Sequence, residues 1–315
     1  MSVTGTDFQG SLMADDLTFD VRPPARSGEC LQVSPLVRRI VADNAGPITF
    51  TGTCSYIVGS GRVAIIDPGP DSPAHIEALL HAVRGETVSH ILVTHTHRDH
   101  SPAARAIQAA TGALLVGCSP HRSARPLFSG EVNSLEASSD KDYAPDRELA
   151  EGEAVQGPGW TLEALATPGH MANHLAFALP EEKALFSGDH VMAWATTVVA
   201  PPDGSMSEFM ASLDKLKGRE ETVYWPGHGG PVQEPQRFVR ALAHHRRLRE
   251  ASILNRLNAG DRTIPEIVAA IYQGLNPALV NAAGLSVFAH LEDLVAKELA
   301  VTDGMPSLSG VYRPA

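Results

Sequence analysis

Aromatic residues are scarce in this chain, 5% of 315, and cysteine scarcer still, at Cys30, Cys54 and Cys118 alone. Three widely spaced thiols with no CxxC pair argue against a disulfide framework and suit free thiols in a reducing compartment. The first twenty residues contain Asp7, Asp15, Asp16 and Asp20 but no Lys or Arg. That contradicts both a secretory leader and an Arg-rich transit peptide, so a cytoplasmic protein is expected. No apolar run stands out as long enough to span a bilayer, and no membrane partner is expected. There is no internal repeat or low-complexity tract. What remains, 43% hydrophobic and 19% charged, fits a globular chain long enough for one large domain or one domain with an appendage.

The formal charge of −11 argues against a surface that binds nucleic acid throughout, but the charge is uneven. Residues 236–315 hold nine Lys/Arg and seven Asp/Glu, whereas residues 1–235 hold sixteen and twenty-nine. This asymmetry suggests two domains. Patterning agrees. Val63–Ile66 reads as a strand stopped by Asp67-Pro68-Gly69-Pro70, and Ser72 with Pro73 opens a helix ending near Gly85. Ile91-Leu92-Val93 is a strand running into Thr94-His95-Thr96-His97-Arg98-Asp99-His100, after which Ser101 and Pro102 are expected to cap a helix ending near Gly112. Further strands are expected at 113–116, 161–166, 175–179, 184–186 and 222–225. Ser205-x-x-Glu208 and Thr263-x-x-Glu266 read as capping boxes. A long Arg-rich helix to about Asn258, the helix after Thr263, a helix over 285–299 and a terminal ribbon suggest a winged helix.

Four potential ligands within six residues, His95, His97, Asp99 and His100, demand an explanation, and metal binding is the commonest one. His170, Asp189 and His228 each follow a strand in a Gly-containing turn and can close two sites. His174, His190 and His121 read as supporting or solvated. Arg98, inside the ligand loop, either meets an anionic substrate or bonds a neighbouring loop.

With these residues in view, the chain resembles the metallo-β-lactamase superfamily over roughly residues 50–230. The resemblance implies a four-layer αββα sandwich. It assigns His95, His97 and His170 to one metal, Asp99, His100 and His228 to the other, and Asp189 to a bridge, with Asp99 also orienting the attacking water. Thr94 and Asp67 occupy the matching strand ends. Two Zn2+ are implied, with Mn2+ or Fe2+ also suited to His and Asp ligands. True β-lactamases usually carry Cys or Ser at the place of Asp189, and flavodiiron proteins an acid at that of His97.

Thr94–Ala104, Val198–Met206, Pro226–Pro231 and Ser286–Leu291 together resemble the lactamase-beta-like protein 2 group, from about residue 45 to 300, with a departure at Cys54. That group has a small C-terminal winged helix and includes a single-strand endoribonuclease. The resemblance therefore implies a dinuclear hydrolase acting on single-stranded RNA, with a glyoxalase II-like thioester hydrolase as the alternative and a small thioester or ester as its substrate. Arg237, Arg240, His244 and Arg247 could form a phosphate-attracting stripe or a solvated helix face. The expected division is an unassigned extension at 1–30, a catalytic domain at 31–235 and a winged-helix-like domain at 236–315, with oligomerisation open.

Overall fold

The computed structural model describes residues 17–315, and the expected N-terminal extension lies outside the described residues through residue 16. One sheet runs in the order β1 (Leu31–Gln32), β2 (Val37–Val41), β3 (Cys54–Ser60), β4 (Arg62–Ile66), β5 (Thr87–Val93), β6 (Leu114–Gly117), β7 (Arg147–Glu148). The other runs from β8 (Ala154–Gly157) through β9 (Trp160–Ala166), β10 (Leu175–Leu179), β11 (Ala184–Gly188) and β12 (Val223–Pro226) to β13 (Val232–Gln233). Both sheets are mixed: β4, β5 and β6 pair in parallel, as do β11 and β12.

Alternation along the strands decides the layering, because successive side chains leave a strand on opposite faces. On β10, Leu175, Phe177 and Leu179 join the larger apolar cluster with β2–β5, while Ala176 and Ala178 face a second cluster. On β11 Phe186 and Leu185 divide in the same way. The larger cluster also takes in Leu79 of α1 (Pro73–Ala82) and Ile107 of α2 (Ala104–Thr111). The second packs Phe209 and Leu213 of α3 (Met206–Leu216) and Val239 and Leu242 of α4 (Pro235–Ala259) on the other sheet. Helices thus cover the outer faces of two stacked sheets, the four-layer αββα sandwich expected from the sequence.

The far end of α4 leaves this sandwich. Its Ile253 and Leu257 pack with α5 (Ile264–Ile271), α6 (Val280–Ala296) and the ribbon β14 (Ala300–Thr302) and β15 (Tyr312–Pro314) in a third cluster. Three helices and a two-stranded wing form the winged helix. Thr263 and Glu266 make the expected reciprocal capping box. Ser205 accepts from the Glu208 amide.

Three local expectations are corrected. Ser101 does not cap α2, which starts at Ala104; its hydroxyl is engaged by Asp140 at 2.8 Å. α6 begins at Val280 rather than 285, and Gly284 lies inside it, where a Cβ would stand 3.7 Å from Ile264 Cγ2. One apolar stretch overlooked in the sequence, Pro277–Ala296, is long enough to cross a bilayer, with a mean hydropathy of 1.3. Its helix is buried through Val287, Phe288, Leu291 and Leu294 in the third cluster.

Candidate metal centre

Every motif singled out by its turn residues arrives at one edge of the two sheets. The carboxyl ends of β4 and β5 deliver Asp67 and the loop 94–100, and those of β11 and β12 deliver Asp189 and His228. The β9–β10 connection brings His170 to the same edge. Two glycines let the backbones converge. A Cβ on Gly227 would lie 2.4 Å from Asp189 Oδ1 and 2.6 Å from His100 Cε1. Gly188, with φ at +50°, would drive one into His174 Nε2 at 2.5 Å.

All seven expected ligands come together, in two groups whose donor atoms lie within 4.8 Å of one another: His95, His97, His170 and Asp189, then Asp99, His100 and His228. Asp189 faces both. Its Oδ2 is 3.9 Å from His95 Nε2 and 3.4 Å from His228 Nε2, and its Oδ1 is 3.5 Å from His100 Nε2. Asp99 Oδ2 lies 3.2 Å from His228 Nε2.

The outer hydrogen bonds explain why these nitrogens point inward. His100 Nδ1 donates to Asp67 Oδ2 at 2.9 Å, and His170 Nδ1 to the Val198 carbonyl at 2.6 Å. His228 Nδ1 donates to the Gly52 carbonyl at 3.2 Å. The Thr94 hydroxyl gives its proton to Asp67 and accepts from His95 Nδ1, both near 2.9 Å. Each Nε2 lone pair is thereby directed into the site. His97 presents Nδ1 instead, 3.0 Å from both His95 Nε2 and His170 Nε2.

Three imidazole nitrogens that face each other as acceptors repel unless a cation lies between them. Burial first, then neighbouring imidazoles, hold His95 well below its ordinary pKa and His97 down to about 3, so neither carries the proton that would relieve the contact. Asp189 Oδ1 is buried and without a hydrogen-bond partner. At His228 burial is outweighed by Asp189 and Asp99, which raise it to about 10. The neutral nitrogens of His95, His97 and His170 beside the buried Asp189 carboxylate make one metal-binding donor set, Asp99, His100 and His228 a second, and the residues fit two divalent ions.

Asp99 and His97 are the part-exposed ligands: the Asp99 side chain is 24% accessible, against 8% for His170, 7% for Asp189 and at most 1% for His95, His100 and His228. Its Oδ2 accepts from Thr53 Oγ1 at 3.2 Å, and Asn44 holds that hydroxyl at 3.0 Å. Asn44 and Thr53 were not singled out in the sequence. The departing residue beside them, Cys54, is buried with Sγ against the Gly229 carbonyl, so the substitution falls in the core.

The remaining histidines separate clearly. His174 Nδ1 bonds Thr167 Oγ1 at 2.8 Å and its Nε2 accepts from the Asp189 amide at 3.2 Å, which makes it a support for the Asp189 turn. His190 is buried against Phe209, and His121 lies 3.6 Å from Asp203. Arg98 is exposed, and its backbone amide bonds the Ser138 carbonyl at 2.8 Å.

Beside the centre opens a cavity of about 300 Å3 with His170 and Asp189 in its wall. Met192, Trp194, Ile48 and Phe19 line it together with Tyr272, Leu275, Leu279 and Ala282 of the winged-helix region and Arg246 and Arg249 of α4. Arg246 had a signal in the sequence. It sits among Val239, Leu242, Ala243, Ile253 and Leu257 on the buried stripe of α4, where a charge needs a reason.

The metallo-beta-lactamase superfamily model matches residues 48–228, and a beta-lactamase associated winged helix domain matches residues 263–305. The chain is 30% identical to a Beta-lactamase-like protein 2 homolog of Caenorhabditis elegans, over 81% of this chain and 82% of that one. It is 31% identical to an atrochrysone carboxyl ACP thioesterase of Aspergillus terreus, over 82% and 77%. A solved metallo-beta-lactamase family protein of Thermus thermophilus superposes with a TM-score of 0.72 at 24% identity, covering 90% of this chain and all of that one. A beta-lactamase domain protein of Burkholderia ambifaria gives 0.75 at 20% identity, covering 93% and 95%. These two structures share the fold.

Proposed function

This chain belongs to the metallo-β-lactamase superfamily and is a hydrolase of it, and from that premise we propose that it cleaves an acyl thioester, with two zinc ions held by the seven ligands. The observation that carries the reading is the cavity: a largely apolar pocket that opens directly on His170 and Asp189 suits an acyl group brought up to the centre. Similarity to a protein named an acyl-carrier-protein thioesterase supports it.

His95, His97 and His170 would hold one ion, and Asp99, His100 and His228 the other, with Asp189 shared. When bound, the ions supply Lewis acidity at the scissile carbonyl and lower the pKa of water at the site. Asp99, a part-exposed ligand fixed by Thr53, orients the attacking water. Thr94, Asp67 and the Gly52 and Val198 carbonyls keep the imidazoles in place through the reaction. Met192, Trp194 and Leu275 exclude bulk water from the acyl side.

Single-stranded RNA, the substrate first expected from the sequence, draws on the two-metal chemistry but less on the surface. The stripe of Arg237, Arg240, His244 and Arg247 does form one exposed face of α4. Two of its charges are shared with acids: Arg247 is 3.7 Å from Asp214 and Arg237 is 3.4 Å from Glu234. Incubating metal-loaded protein with S-acyl glutathione, acyl-pantetheine thioesters and single-stranded RNA in parallel tests the reading. Efficient release of free thiol, with RNA left intact, is the expected outcome. Cleaved RNA with thioesters untouched refutes it.

A further inference from the structure

Arg246 is 3% exposed, yet no carboxylate among the described residues pairs with it. Its Nη2 donates to the Thr197 carbonyl, its Nε has no partner, and its guanidinium lies 5.1 Å over the Phe209 ring. One turn along α4, Arg249 lies 4.1 Å over the Tyr272 ring and likewise forms no ion pair among the described residues. Both residues line the catalytic cavity. The acids beside them on α4 and α6, Glu250 and Asp293, are each held by Lys297 at 2.7 Å. The positive field is felt locally: burial, then Arg246 and Arg249, hold His245 in the same wall down to about 4.

A guanidinium kept from water without a counter-charge is unfavourable, and two of them side by side repel. That arrangement is tolerated where a ligand brings the anion, since a guanidinium matches the two oxygens of a carboxylate or phosphate in one plane. A buried arginine with an unused donor also gives the subsite a rigid floor, because Thr197 and Phe209 already fix its plane. The only acid in the cavity wall, among the described residues, is Asp189, which belongs to the metal centre.

We propose that Arg246 and Arg249 form an oxyanion subsite in the wall of the catalytic cavity, which holds a carboxylate or phosphate that the substrate carries away from its scissile bond. The subsite rests on the reading above in one respect, that this cavity receives the substrate. The anion has two sources in a thioester: a carboxylate on the acyl chain, or the phosphate of a phosphopantetheine arm.

Arg249 is the residue to change, since Arg246 also secures the Thr197 carbonyl. Metal-loaded full-length protein is titrated calorimetrically with inorganic phosphate and with glutarate, as wild type, Arg249→Gln and Arg249→Lys. Affinity is expected to fall at least tenfold in Arg249→Gln and by less in Arg249→Lys, which keeps the charge but loses the planar fork. Anions bound at the metals alone would be indifferent to Arg249, so equal affinities overturn the subsite. Kinetics then locate the anion. The ratio of kcat/KM for acyl chains with and without a terminal carboxylate, and for phosphopantetheine against pantetheine thioesters, is compared across the three proteins. A tenfold collapse of one ratio in Arg249→Gln, carried by KM, names the source. Turnover with both ratios unmoved overturns the proposal. No thioester turnover alongside the loss of phosphate affinity refutes the thioester reading and leaves the subsite standing.

Discussion

Asp67 accepts the Nδ1 proton of His100 at 2.9 Å while the same carboxylate takes the amide and the hydroxyl of Thr94 at 2.8 Å. One side chain at the end of β4 thus fixes both ends of the ligand loop, and it does so from a left-handed backbone at φ +47°. A non-glycine residue held there is strained, and strain of this kind persists where the surroundings enforce it.

Asp67→Asn is therefore expected to weaken metal binding and activity without unfolding the protein. The amide cannot accept from all three donors at once, and an NH2 turned toward His100 would oppose the proton that orients the ring. Partners of this type change metal affinity by about 10- to 100-fold. Competition with a chelator of known affinity measures it. Retention of both ions at wild-type affinity would show that His100 needs no such support.

Asp189 is shared between two groups of ligands, so its loss should strike both. Asp189→Ala is expected to lower the metal content from about two ions per chain toward one, by elemental analysis, and Asp99→Ala to cost more than about a hundredfold in turnover with metal content defined. Gly227→Ala should resemble Asp189→Ala, because its methyl would stand 2.4 Å from Asp189 Oδ1. Normal metal content in Gly227→Ala would show that the β12 turn yields more than the geometry implies.

Much of this site was legible because ligand chemistry is concentrated. His95 to His100 declare themselves within one loop, and His170, Asp189 and His228 stand behind strands whose ends are marked by Gly and Pro. The supports were less visible. Thr53 and Asn44 carry common polar side chains in a segment that reads as a loop, and β2 and β3 around them were not recognised. The cavity was invisible for a different reason. Ile48, Trp194, Leu275 and Ala282 come from distant parts of the chain and meet only after the winged helix docks. The spacing of Arg237, Arg240, His244 and Arg247 leaves a phosphate-attracting stripe and a solvated face both open, and Asp214, 3.7 Å from Arg247, lies on another helix where sequence spacing says nothing.

Acid should destabilise the fold through histidines kept neutral inside it. His75, whose Nε2 meets Ser55 Oγ at 2.8 Å, is pushed by burial from 6.5 down to about 4. The unfolded chain binds a proton there that the folded chain refuses, so the stabilisation is complete above about pH 6.5 and is lost as pH falls toward 4. At pH 5 the loss from this residue is about 2 kcal/mol. Urea unfolding of metal-saturated wild type and His75→Gln at pH 7.5 and 5.0 tests it. The variant should lose less stability over that interval, and identical pH dependences would remove His75 from the account.

The cavity and the stripe make opposite demands, and two variants separate them. Ala282 lies in the cavity wall, so Ala282→Trp should fill the acyl space. An octanoyl thioester is expected to suffer at least about a tenfold rise in KM, whereas an acetyl thioester, which needs little of the cavity, should change far less. Arg237, Arg240 and Arg247 lie on the exposed face of α4, and their joint replacement by Gln should leave thioester hydrolysis within about twofold of wild type. An RNA substrate reverses both expectations. Cleavage would then fall in the triple variant and its salt dependence would flatten, since fewer condensed counterions are released, while Ala282→Trp would matter little. Truncating the winged helix would be a poorer test, because it removes the Tyr272 and Leu275 side of the cavity together with the apolar partners of Ile253 and Leu257. Substitution keeps that packing, so a KM effect confined to long acyl chains assigns the winged helix to the substrate pocket, and a salt effect confined to RNA assigns α4 to phosphate.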